Sequence, residues 1–166
     1  MSFAAYPPDR YAGPEGEASA WVRTASAPPE LSSAGGTTTH YLATGAQTGG
    51  DFGLYRWEMG PRRSGPDPHF HRSISESFYV LTGSVRLHDG RRWLEAGPGD
   101  FLHVPPGGVH GFRNESGEPA SLLILFAPGA PREAYFEGLV ELAEGRWEPT
   151  HDELQAFLVA HDNHYL

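Results

Sequence analysis

From residue 37 to residue 126 the chain alternates short apolar runs with turn residues. Residues 37–44 are rich in β-branched and aromatic side chains, which predicts a strand. Residues 51–59 set Phe52, Leu54, Arg56 and Glu58 against Gly53, Tyr55, Trp57 and Met59, a period of two. Short strands are expected over 78–81, 85–88 and 92–96, separated by Thr82-Gly83-Ser84 and by Asp89-Gly90, a strong hairpin signal. Gly97-Pro98-Gly99-Asp100 leads to a strand over 101–104. Pro105-Pro106-Gly107-Gly108 then turns the chain into another strand over 109–113. Residues 120–126 are continuously apolar, as in a strand buried on both faces. Eight or nine short strands at this spacing predict an all-β sandwich or barrel over residues 37–128.

After Pro128 the period changes. Tyr135, Phe136, Leu139, Val140 and Leu142 recur at helical spacing over 132–144, and Gly145 ends the run. Thr150 with Glu153 is a capping box for a second helix over 152–160. Its face of Leu154, Phe157 and Leu158 is expected to pack on the barrel or on another subunit. Residues 129–166 therefore form a C-terminal helical extension. The tail His161-Asp162-Asn163-His164 has the character of a polar chain end. Residues 1–36, rich in Pro, Gly, Ala and Ser, are expected as an extended arm that docks Trp21 on the barrel or on a partner subunit.

Composition narrows the function. A length of 166 residues suits one domain with a sizeable core. A net charge of −9 argues against binding nucleic acid or an anionic membrane. No apolar run approaches membrane-spanning length, and the N-terminus lacks a signal-peptide pattern, so a cytoplasmic location is expected. There is no cysteine, so any metal must be held by imidazole and carboxylate.

The candidate chemistry lies in two stretches. In the first, His69 and His71 are two apart and Glu76 follows. Alternate residues of a strand share a face at roughly 6.5–7 Å. Two imidazoles so placed can lean onto one ion at about 2.0–2.1 Å. Glu76 is an odd number of residues from His71, so a turn or bulge between Arg72 and Ser75 must reset the phase. In the second stretch His110 follows the Pro-Gly turn. Arg62, Arg63 and Arg72 flank the first stretch as solvated charge, with an anionic substrate at the mouth as the alternative.

Both stretches resemble the two motifs of the cupins. The first runs His69-x-His71, four residues, Glu76, six residues, Gly83. The second runs Gly99, five residues, Pro105, Gly107, His110, Asn114. The first lacks its opening glycine: Arg63 stands there, between Gly60 and Gly65. The resemblance implies a double-stranded β-helix, a jelly-roll barrel, with the two short C-terminal helices outside it. It also implies one divalent transition metal (Fe, Mn, Ni, Co, Cu or Zn) on His69, His71, Glu76 and His110, with Glu76 doubling as catalytic base. Phe78 and Val80 share strand parity with Glu76, and Phe112 with His110, so these are expected to line a substrate pocket. His103 is either a cavity-facing substrate contact or a structural histidine.

Among cupins the layout is similar to small quercetinase-like proteins. That implies a dioxygenase taking a small aromatic or polyketide-like metabolite and dioxygen, and a homodimer. The alternatives are a non-oxidative metal cupin (isomerase, cyclase or decarboxylase) and a binding or sensor cupin without turnover.

Overall fold

The larger sheet is built on one long apolar strand, because residues 120–126 can be buried only between two neighbours. The computed structural model describes residues 5–166. Met1–Ala4, the start of the expected arm and of the stretch searched for a signal peptide, lie outside the described residues. The strands are β1 (Leu31–Ser32), β2 (Thr38–Ala43), β3 (Gly53–Met59), β4 (His69–Phe70), β5 (Ser75–Thr82) and β6 (Val85–His88). They continue with β7 (Trp93–Ala96), β8 (Phe101–Val104), β9 (Gly111–Arg113), β10 (Ala120–Ala127) and, after the helices α1 (Glu133–Ala143) and α2 (His151–Ala160), β11 (His164–Tyr165).

The six-stranded sheet has the order β1-β2-β3-β10-β5-β8, with β10 antiparallel to both β3 and β5. A three-stranded sheet runs β7-β6-β9, and β11 pairs with β4. Side chains of the two larger sheets meet in one core, with Phe78, Val80, Leu122 and Ile124 from the first and Val85, Leu87 and Phe112 from the second. This is the double-stranded β-helix, with both helices following the barrel.

The helices close one end of that core. Tyr135 and Phe136 are the buried residues of α1. The Phe136 ring lies 5.0 Å from Tyr55 and 5.1 Å from Trp57, edge-on. Burying a ring of this kind contributes about 1.5–3 kcal/mol. The Tyr55 hydroxyl donates to Glu133 at 2.6 Å and ties the helix start to β3. At α2 the capping box is made: Thr150 accepts from the Glu153 amide and the Glu153 side chain accepts from the Thr150 amide. Phe157 stacks on Tyr135 at 5.8 Å, so α2 packs against α1.

Several elements differ from the sequence expectation. β5 starts at Ser75, so Glu76 lies inside a strand of eight residues. β9 starts at Gly111, and His110 instead makes an isolated bridge to His69. β1 and β11 were not expected at all, since two residues carry no periodicity. Residues 5–30 form no helix or strand, and Trp21 is 53% exposed beside Tyr41 and Thr44. No helix among the described residues is long and apolar enough to cross a membrane.

Candidate metal centre

Three chain segments bring the four polar residues together. The His69 amide donates to the His110 carbonyl and the His110 amide to the His69 carbonyl, both at 2.9 Å. That reciprocal pair puts the two side chains on one face. Beyond Phe70 the ladder stops. The His71 carbonyl accepts from the Gly107 amide at 2.6 Å, and Gly107 sits in a tight turn at a φ of 82° that favours glycine. The phase reset expected between Arg72 and Ser75 is real: β4 ends at Phe70 and β5 resumes at Ser75. Glu76 then faces inward opposite Val104 and Phe126.

His69, His71, Glu76 and His110 are all buried, and one potential ligand atom from each lies within 4.8 Å of every other. Each imidazole has its Nδ1 beside a backbone carbonyl: Asp67 for His69 at 2.9 Å, Asp162 for His71 at 2.6 Å and Gly108 for His110 at 2.9 Å. A carbonyl only accepts, so Nδ1 carries the proton in all three and Nε2 is left as the inward donor atom. The Glu76 Oε2 oxygen is 2.9 Å from Nε2 of His71 and 2.7 Å from Nε2 of His110. Lone pairs and a carboxylate at these distances repel unless a proton or another cation sits among them. The donor set, its tautomers and its second layer of carbonyls therefore fit a divalent transition metal.

Without an ion, the buried groups perturb one another. Burial works against charge on His69 and takes it from its ordinary 6.5 down to about 4. Burial also opposes charge on His110, but the hydrogen bond with Glu76 outweighs it and raises the group. Glu76 is pushed upward by burial and downward by its bonds with His110 and His71, and it settles well below the ordinary carboxylate range.

The tail read as a polar chain end belongs to this centre. Asp162 takes a left-handed φ of 58° just past α2. The Asp162 amide donates to the Val159 carbonyl and the Asn163 amide to the Leu158 carbonyl, which is a Schellman turn with aspartate in place of glycine. The turn aims the Asp162 carbonyl at His71. Its carboxylate meanwhile accepts from the amides of Arg72 and Ser73 at 2.9 and 2.8 Å and from the Ser73 hydroxyl at 2.6 Å. Asp162 thus holds the very loop that resets the phase before Glu76. Three residues later Tyr165 stacks on His69 at 5.2 Å. The sequence did hold a signal: Asp-Asn one residue past a helix end is a pair that tolerates the left-handed turn.

A cavity of about 360 Å³ opens onto the cluster, reaching His69 and Glu76. Six rings line it, Trp57, Phe112, Phe126, Tyr135, Phe136 and Tyr165, together with aliphatic and polar side chains. Of the four residues expected to line a pocket, Phe112 does. Phe78 and Val80 face inward as their parity requires, yet they are fully buried and lie outside the cavity lining. Phe78 packs under His110 and Phe112, at 5.9 and 5.5 Å, because the barrel is filled on that side. His103 is exposed on the outer face of β8 and bonds Ser77 at 2.9 Å, so it has no access to the cavity. Gly65, two residues after the Arg63 that replaces the motif glycine, makes a close backbone approach. Its φ is +122°, and a side chain there would strike the Phe112 carbonyl. Arg62, Arg63 and Arg72 are exposed.

A jelly-roll barrel with a buried cluster of three histidines and one glutamate at its mouth defines the class of protein. Residues 55–126 match the family described as "Cupin domain", and the barrel they form is a cupin domain. It is similar to "Quercetin 2,3-dioxygenase" of Bacillus subtilis (strain 168), 32% identical over 108 residues. That stretch is 65% of this chain and 31% of the Bacillus protein, so the chain spans under a third of that relative's length. Among solved structures, a predicted oxalate decarboxylase from Thermotoga maritima superposes with a TM-score of 0.58 at 21% identity, covering 66% of this chain and 99% of that one. KdgF from Halomonas sp. gives 0.55 at 19% identity, covering 66% and 94%. Both likenesses concern the fold.

Proposed function

We propose that this protein is a metal-dependent cupin enzyme, a dioxygenase acting on a small aromatic or polyketide-like metabolite. The observation that carries the reading is the ring-walled cavity ending at His69 and Glu76. Apolar walls with a few polar groups at one end suit a flat, weakly polar molecule that presents oxygen to the cluster. The similarity to the Bacillus quercetin dioxygenase supports the same class of substrate.

A divalent ion held by His69, His71, Glu76 and His110 supplies Lewis acidity and, if redox-active, chemistry with dioxygen. The chain's own part is positioning and proton movement. Trp57 and Phe136 stack the substrate, and Tyr165 covers His69. Glu76 accepts a substrate hydroxyl proton at its carboxylate. While His71 and His110 bond it, that carboxylate is a poor base. It would gain basicity only on leaving both the ion and the two imidazoles.

Oxygen uptake with a panel of catechols, flavonols and β-diketones tests the proposal, with labelled dioxygen to follow the atoms. Uptake with both oxygen atoms in the product is the expected result. Turnover without uptake would support an isomerase, cyclase or decarboxylase instead, and binding without product a sensor. A homodimer through the arm or through a barrel sheet is proposed with it, since Trp21 is half exposed. Light scattering that gives the mass of one chain would contradict the dimer.

A further inference from the structure

The cavity holds a buried cation that the cluster does not use. Arg132, at the start of α1, lines the cavity and is 3% exposed. Its guanidinium lies over the rings of Tyr135 and Phe126, at 4.4 and 4.9 Å. Nη1 donates to the His161 carbonyl at 2.5 Å and Nη2 to Asn163 at 3.3 Å. Among the described residues Nε has no hydrogen-bond partner. Among the same residues no carboxylate forms an ion pair with this arginine either. The acidic groups that influence it, Glu76 and Asp162, act at longer range and are already engaged, by two imidazoles and by the Arg72–Ser73 amides respectively.

A buried charge without a counter-charge is costly and calls for compensation. Burial pulls the guanidinium's pKa down, as expected for a cation short of it. The tail needs only the two bonds to His161 and Asn163, and a neutral amide side chain could make those. A planar fork of donors beside an aromatic cavity is suited to an oxyanion carried on a ring.

We propose that Arg132 is the anion-recognition residue of this cavity, and that the molecule bound there is a flat, ring-bearing monoanion. Its carboxylate or acidic enol oxygen meets the guanidinium while its rings lie against Trp57, Phe112 and Phe136. This deepens the functional reading, since it rests on the cavity being the substrate site. It does not rest on the oxidative chemistry.

The test is calorimetric binding of 2-naphthoate and its neutral isostere 2-naphthamide to the full chain, both chelator-treated and zinc-loaded. The chelator-treated arm removes any preference due to metal. Wild type should favour naphthoate by about ten-fold or more in both arms. Arg132→Lys, which keeps the charge and loses the fork, should retain a weaker preference. Arg132→Met should bind the two alike, with its circular-dichroism spectrum checking the fold. Equal binding by wild type, no binding of either compound, or a preference kept in Arg132→Met overturns the proposal. A naphthoate preference without oxygen uptake on any substrate leaves the Arg132 proposal standing and removes the dioxygenase reading alone.

Discussion

Gly65 shows how a single residue sets the shape of the site. It lines the cavity with a φ of +122°, and a side chain there would collide with the backbone of Phe112. Ser64 beside it bridges to Asn114. Asn114 itself is buried and spends its amide on the carbonyls of Gly60 and Glu118, at 2.9 and 2.7 Å. The entry loop is thus clamped from both ends. Gly65→Ala must either strain the backbone or move β9, at a cost of order 1–3 kcal/mol. Chemical denaturation should show that loss. A variant as stable as wild type would mean that the loop has room to adjust.

Among the elements, the short strand β11 and the turn before it matter most, because the turn backs His71 and the strand lays Tyr165 on His69. An imidazole ligand is oriented by the group on its far nitrogen, and removing such a partner typically costs 10–100-fold in metal affinity. Truncation after Ala160 removes the Asp162 carbonyl and the Tyr165 ring together. Cobalt(II) affinity should fall by about that factor. Asp162→Gly keeps the left-handed turn and the carbonyl, so it should fall less. Titrations that give wild-type affinity for the truncated chain would show that the tail is only a cover.

This is also where sequence and structure part company. The strands, the capping box and the four clustered residues were legible because each follows a local rule of period, cap or spacing. β11 was not, since its two residues gain their order from β4, more than ninety positions away. Phe78 and Val80 were placed on the correct face by parity. Parity says nothing of how far the barrel is filled along its axis. His103 was open to either face until Ser77↔His103 fixed its register. Arg132 looked like any helix-start arginine, and its isolation depends on which carboxylates the fold brings near.

For the whole molecule, the buried cluster ties stability to pH. In chelator-treated protein His69 is lowered to about 4 from 6.5, so the unfolded chain takes up this proton first and stability drops as pH falls through that window. His110 is raised, so its contribution has the opposite sign and partly cancels that of His69. Glu76 is depressed, so its contribution is full above its ordinary 4.5 and is lost as pH falls below it. The melting midpoint should change little from neutral pH down to about 5 and then fall steeply. A midpoint that rises on acidification below 4.5 would contradict the assignment of Glu76 as the buried anion.

The central claim is that His69, His71, Glu76 and His110 together hold one divalent metal ion. Its most direct measurement is a calorimetric titration of cobalt(II) into chelator-treated wild type and the His71→Ala, His110→Ala and Glu76→Gln variants. The account predicts one ion per chain in wild type. Most of that affinity should be lost in either histidine variant, with a smaller loss in Glu76→Gln, where three imidazoles persist. If His71→Ala and His110→Ala bind one ion as tightly as wild type, the metal site lies elsewhere and the reading built on it falls.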